Sequence, residues 1–520
     1  MKHIKKLLAL VLALAICAAF ALPAVAAENE FTLTINEPLP GHVYEVYQIY
    51  SGTVESVEAG QQPKLSNIAY GQNYVPTGHK EGEKLDDNAL KDLSEKTDGR
   101  AFALELESKL TGKPFTTISN TATGEGATPI YQATVLGGYY LIKDISQETD
   151  PEDAYSQFIM QVVDNQTITP KNSTPTVDKK VEEKEVIGVN VNESLDFTLT
   201  ATLDPDLDYG AYQTYKVQFN DTMSKGITFD EIKSVTITET DGEPITLMPN
   251  DYATSENLVK NAKGPMTWTL TIADLKTAAD IDITKGVEIK VVYSGHLNEE
   301  AQFVNSESPG YSGTNKVSLT YSNEPDGSGE GTTPEKPVYL FSFGLDNFKY
   351  VTEDGEKVAK EGAGFTLYDN DGNVVPVYKD GSYYYVYDGK NLPTDFPNAM
   401  LVDKFQMVSD DKGHFDIRGL KEGTYTMKET KTPNGYNTCS DIEITIQAEY
   451  EEVDGVEQVK TLTITKDGGA ASSTIEIENK KGSLLPSTGG IGTTIFYTVG
   501  AILVVGAGVL LFTKRRMSKG

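Results

Sequence analysis

Apolar and polar residues alternate along most of this chain. In Thr267-Trp268-Thr269-Leu270-Thr271-Ile272 the apolar side chains fall on one face and the threonines on the other, and Asp441–Ile446 and Ser473–Ile477 repeat the pattern. A period of two is the signature of a strand with one buried face. Many such short runs separated by turn residues predict a mainly β protein built of tandem β-sandwiches. One stretch differs: between Asp86 and Leu110, Phe102, Leu106 and Leu110 recur at a spacing of four, which predicts a helix inserted in the first β domain. Two polar stretches read as linkers, Thr169-Pro170-Lys171-Asn172-Ser173-Thr174-Pro175 and the Gly-rich, acidic Asn323–Gly331. The expected segments are therefore 27–172, 173–330 and 331–482, flanked by 1–26 and 483–520.

The ends carry uniform apolar runs instead. Lys2, Lys5 and Lys6, the run Leu7–Ala21 and the small residues Ala24-Val25-Ala26 are in the order of a secretory signal peptide, cleaved near Ala26 or Ala27. The run Ile491–Phe512 is about 33 Å long as a helix, enough to cross a hydrocarbon core of about 30 Å. Lys514, Arg515, Arg516 and Lys519 follow it and hold the tail on the cytoplasmic side. Just before the span stands Leu485-Pro486-Ser487-Thr488-Gly489. This arrangement of leader, pentapeptide, span and basic tail resembles the LPxTG cell-wall sorting signal of Gram-positive surface proteins. The resemblance implies that a sortase cysteine attacks the carbonyl of Thr488, releases everything from Gly489 onward and passes the acyl group to an amine. The alternative is a plain single-pass anchor with a chance pentapeptide.

Composition then narrows the partners. The net charge is −31, and the two terminal segments carry seven cations and no acid, so the processed body stands at −38. Such acidity argues against nucleic acid as a partner and suits a solvated, self-repelling surface. Of two cysteines, Cys17 lies in the leader, so Cys439 is alone after processing and no intrachain disulfide can form. No cofactor or metal site is expected, since His42, His79, His296 and His414 are scattered, and neither a nucleophilic triad nor a phosphate loop is present. An enzymatic role, such as a surface hydrolase with paired carboxylates, has no residues to assign to it.

Polar residues interrupt the apolar faces in a pattern. Lys179 shares parity with Val177 and Val181; Asn315 with Val317, Leu319 and Tyr321; Asp221 with Val217 and Phe219. The third segment repeats the set: Lys349 with Phe343, Leu345 and Val351, Asn479 with Ile475 and Ile477, Glu429 with Tyr425 and Met427. Each set points a lysine, an asparagine and an acid at one core. Burial favours the neutral amine and the neutral acid. A neutral amine can attack an asparagine carbonyl that a protonated acid polarises, expelling ammonia and leaving a Lys–Asn isopeptide bond. The bland alternative is a buried, hydrogen-bonded Lys–acid pair with an asparagine nearby.

These residues resemble the major, or backbone, pilins of sortase-assembled Gram-positive pili, over nearly the whole chain. Gly41–Tyr50 and Gly137–Ile142 look like that family's first domain; Gly362–Tyr368 looks like the opening of a collagen-adhesin B-type (CnaB-like), immunoglobulin-like sandwich; Tyr425–Tyr436 is similar to its E-box. The resemblance implies that Glu429 promotes a Lys349–Asn479 bond, and that Asp221 promotes a Lys179–Asn315 bond. It also matches Thr169-Pro170-Lys171-Asn172 to the family's Tyr-Pro-Lys-Asn pilin motif, with Thr169 in place of the aromatic, and so implies Lys171 as the amine that receives Thr488 of another copy. The partners implied are other copies of the chain, pilus and housekeeping sortases, ancillary pilins and peptidoglycan, with the membrane involved only before sorting. The implied place is the cell surface. The other reading is an ancillary pilin or an adhesin attached singly to the wall.

Overall fold

The computed structural model describes residues 30–517, apart from 37–40, 56–62, 98, 123–128, 147–156, 171–172, 206–211, 299, 306–309, 325–328, 388, 390–391, 393–398 and 482–490. The leader, Lys171 and the Leu485–Gly489 pentapeptide therefore lie outside the described residues. Strand is the dominant structure, and every alternating run named above forms one.

In the first segment the long strand Tyr44–Glu55 lies between Lys64–Tyr70 and Gly138–Asp144, with Gln157–Val162 beyond the latter. A smaller sheet has Glu30–Ile35 at its centre, antiparallel to Gln132–Leu136 and parallel to Gln166–Ile168. The expected single helix is two, Asp87–Glu95 and Gly99–Glu107. Asp86 caps the first by accepting from the Ala89 amide at 2.8 Å, and the chain leaves helical geometry at Lys96. Gly99, the poorest non-proline helix former, begins the second. Phe102 and Leu106 are buried against Ile49, Tyr139, Leu141 and Ile159, whereas Leu110 lies past the helix end and is only partly buried.

The middle segment is a sandwich. One sheet runs through Lys336–Phe341, Gly313–Ser322, Val217–Met223 and Met266–Ile272; the other through Ile227–Glu239, Val287–Leu297, Leu195–Leu203 and Thr176–Val181. The boundary expected at 331 falls inside this sheet. Lys336–Phe341 pairs antiparallel with Gly313–Ser322, Asn315 opposite Val338, and buries Val338, Leu340 and Phe341. The described end of the Gly-rich stretch joins the same sheet, Glu330–Thr332 pairing antiparallel with the end of Gly313–Ser322.

The third segment, from Phe343, is again two sheets. Phe343–Glu353 turns tightly through Asp354-Gly355 into Glu356–Ala359, with φ of +50° and +86° at the two turn residues. That is the left-handed pair a two-residue hairpin demands, and Asp-Gly supplies it at little cost. Its other neighbour is the final strand Thr474–Asn479, parallel to it, so the first and last strands of the segment lie side by side. The facing sheet contains Gly364–Tyr368, Gly423–Lys431, Ile442–Val453 and Val456–Lys466. C-terminal to all of this, Ile491–Met517 is one helix, and its stretch Tyr497–Arg515 is long and apolar enough to cross a membrane.

Candidate functional site

Among the described residues only two lysines are buried, Lys179 and Lys349. Each sits at the centre of a polar cluster in an otherwise apolar core.

In the middle segment Thr176–Val181 presents Val177, Lys179 and Val181 inward, and Lys179 lies opposite Leu199 on the next strand. On the facing sheet Val217–Met223 points Asp221 inward beside Phe219 and Met223. Asn315 stands on the adjacent strand, two residues from the one paired with Asp221. The lysine reaches across the sandwich to Asp221, and the Tyr293 hydroxyl links it to Asn315. Its Nζ is hydrogen-bonded to Asp221 Oδ2 and donates to the Tyr293 hydroxyl at 3.2 Å. That hydroxyl donates to Asp221 Oδ2 at 3.1 Å and accepts from Asn315 Nδ2 at 2.5 Å. Aromatic rings close the site: Tyr293 stacks on Phe197 at 5.1 Å and meets the edge of Trp268 at 5.2 Å. The lysine amine lies 5.7 Å from the centre of the Phe197 ring.

In the third segment Lys349 and Asn479 come from the two parallel strands. Lys349 is paired with Ile477, and Val351 with Asn479. Glu429 approaches from the facing sheet. Its Oε2 accepts from Asn479 Nδ2 at 2.8 Å and from the Cys439 amide at 2.7 Å. Asn479 Nδ2 also donates to the Asn437 carbonyl at 2.8 Å. The Lys349 amine donates to the carbonyls of Ile477 at 3.0 Å and Tyr350 at 3.2 Å. The Asn–acid contact is thus direct, while the amine rests on backbone next to Asn479.

Electrostatics favour a neutral lysine at both places and a neutral acid at Asp221. Burial pulls the Lys179 amine down to about 8 against the opposing pull of Asp221, and burial pushes the Asp221 carboxyl up against the pull of Lys179. Lys349 is likewise drawn down to about 8 by burial, with Glu429 opposing. One oxygen on each acid and each amide, Asp221 Oδ1, Asn315 Oδ1, Glu429 Oε1 and Asn479 Oδ1, is buried without a hydrogen-bond partner among the described residues. Acceptors left this way cost about 1–3 kcal/mol each.

Parity alone located all six cluster residues. It missed Tyr293, although Val287, Ile289, Val291 and Tyr293 alternate inward along Val287–Leu297 and marked its direction. The supporting contacts of Asn437 and Cys439 lie in a loop and carry no periodic signal. In the first segment the buried polar side chains include His42, hydrogen-bonded to Asp144 at 2.6 Å, but no lysine among the described residues.

Comparison with known proteins gives family matches along the chain. Residues 204–325 match the family "Gram-positive pilin backbone subunit 2, Cna-B-like domain", residues 348–461 the SpaA prealbumin-like fold domain, and residues 477–519 the LPXTG cell wall anchor motif. The fimbrial subunit type 1 of Actinomyces viscosus is 24% identical, the match covering 68% of this chain and 66% of that protein. Similar solved structures include the T6 backbone pilin of serotype M6 Streptococcus pyogenes, with a TM-score of 0.48 at 16% identity, covering 88% of this chain and 100% of that one. The full-length major pilin SpaD of Corynebacterium diphtheriae gives 0.45 at 16% identity, covering 88% and 98%. The three family matches give this chain a Cna-B-like pilin backbone domain, a prealbumin-like fold domain and an LPXTG cell-wall anchor motif, the parts of a cell-wall-anchored pilus subunit.

Proposed function

We propose that this chain is the backbone subunit of a covalent pilus, in which a sortase joins Thr488 of one copy to Lys171 of the next, and in which two Lys–Asn isopeptide bonds brace each subunit. The observation that carries the bracing is the pair of buried clusters, each a lysine drawn toward its neutral form, an acid and an asparagine, with an orphaned oxygen on both the acid and the amide. In each, a proton passes from lysine to acid. The acid's O–H then serves the amide oxygen and polarises its carbon, and the neutral amine attacks. The middle bond forms between Lys179 Nζ and Asn315 Cγ under Asp221. The third-segment bond forms between Lys349 Nζ and Asn479 Cγ under Glu429. Each breaks one Cγ–Nδ2 bond and releases one ammonia. The segments 27–172, 173–341 and 343–482 act as the three bodies of the subunit, with Lys171 in the polar connection between the first two.

Intact-mass measurement of the full-length chain purified in detergent tests the bracing. The expected mass is two ammonia molecules below that of the leader-processed sequence, with Lys179–Asn315 and Lys349–Asn479 recovered as cross-linked peptides. A full calculated mass contradicts both bonds, and a single deficit assigns the failure to whichever peptide pair is missing.

A further inference from the structure

Ammonia leaves an amide only if its nitrogen gains a proton, because an amide anion is far too basic to be expelled. At the third-segment cluster the acid can supply that proton itself, since Glu429 Oε2 touches Asn479 Nδ2 at 2.8 Å. The middle cluster has an aspartate, one methylene shorter, and a tyrosine inserted beside it. Tyr293 Oη is 2.5 Å from Asn315 Nδ2, 3.1 Å from Asp221 Oδ2 and 3.2 Å from Lys179 Nζ. It touches the nucleophile, the acid and the leaving nitrogen at once. Asn315 also lends a hydrogen bond toward Asp221, so a direct path competes with the one through the phenol.

We infer that Tyr293 is a catalytic proton relay for bond formation in the middle domain, its hydroxyl carrying a proton from Asp221 to the departing Nδ2 of Asn315. The inference rests on the isopeptide reading of Lys179 and Asn315. Lysine first gives a proton to Asp221. The neutral amine then adds to Asn315 Cγ, forming the Nζ–Cγ bond and placing negative charge on Oδ1. Asp221 passes its proton to Tyr293 Oη while the phenol passes its own to Nδ2. The Oδ1 electron pair returns, the Cγ–Nδ2 bond breaks and neutral ammonia leaves. The new amide nitrogen loses its extra proton to Asp221, which ends protonated and uncharged. That ending suits an acid in an apolar core that has lost its cation.

Three features equip the phenol for this. Its ring is held by Phe197 and Trp268, so the hydroxyl cannot swing away. Burial, and then the neighbouring Asp221, push its acidity well below that of a free tyrosine, so the O–H stays in place at neutral pH. Its hydroxyl both donates and accepts, as a relay requires.

Tyr293→Phe in the full-length chain is the test, read by intact mass and cross-linked peptides at fixed times after synthesis. The Lys179–Asn315 bond should form at least tenfold more slowly, with Lys349–Asn479 unaffected. Ile237→Val, which alters core packing away from the cluster and leaves the hydroxyl, should cross-link like the parent. 3-Fluorotyrosine at position 293 should restore the bond. Normal cross-linking in Tyr293→Phe overturns the relay while leaving the isopeptide reading intact. So does equal slowing in Ile237→Val, or failure of the fluorinated residue to rescue. Absence of the Lys179–Asn315 bond from the parent chain overturns the isopeptide reading itself.

Discussion

The Lys349 amine, buried in an apolar core against the carbonyls of Ile477 and Tyr350, cannot keep its charge cheaply. This sets a pH dependence at the single residue. In Asn479→Ala the amine of Lys349 remains free. Its folded-state value of about 8 lies below the ordinary 10.5. Between those two values the unfolded chain binds a proton that the folded chain does not, so stability rises with pH across the window, by up to about 3 kcal/mol. Denaturant unfolding at pH 7 and pH 10 should show this gain in Asn479→Ala and lose it in Asn479→Ala/Lys349→Met. Equal pH profiles in the two variants would contradict it. At this scale much was legible beforehand. Lys179, Asp221 and Asn315 share parity with their apolar neighbours, and so do Lys349, Glu429 and Asn479. Tyr293 escaped because a tyrosine on an apolar face is an ordinary core residue until its hydroxyl partners are seen.

At the level of strands and helices the two clusters differ in a way parity cannot express. Lys179 comes from one sheet, and Asp221 and Asn315 from the other, so a bond there crosses the sandwich. Lys349 and Asn479 lie on neighbouring parallel strands, so a bond there staples the first strand of the segment to its last. Alternation says which side chains face inward but not which sheet holds the strand. For the same reason Lys336–Phe341 was assigned to the third segment, although its ladder belongs to the middle one. Treated like a disulfide, the Lys179–Asn315 link closes a loop of over a hundred residues, so Asn315→Ala should destabilise the middle domain by on the order of 4–5 kcal/mol, read from its denaturant midpoint. A change under about 1 kcal/mol would argue that no covalent link was lost. The inserted helix gives a separate test. Leu106 is fully buried, and Leu106→Ala should lower first-domain stability by about 2–5 kcal/mol without altering either cross-link.

Across the whole molecule, the pieces act in series. The leader read from residues 1–26 would export the chain, and the helix Ile491–Met517, long and apolar enough to cross a membrane, follows the anchor motif. The body carries no disulfide, since Cys439 is a free cysteine. The proposed Lys–Asn bonds would supply the reinforcement that disulfides give, and a tensile load passing from Lys171 to Thr488 would meet a covalent tie in both the middle and the third segment. The ends were the most legible part of the sequence, because their logic is composition and order and needs no tertiary contact. The most direct test of the covalent fibre is the Lys171→Ala variant in a host carrying its own sortases, with wall extracts run on a denaturing gel. Loss of the high-mass ladder, with monomer still attached to the wall, is the predicted result; a ladder of undiminished height would contradict Lys171 as the joining amine.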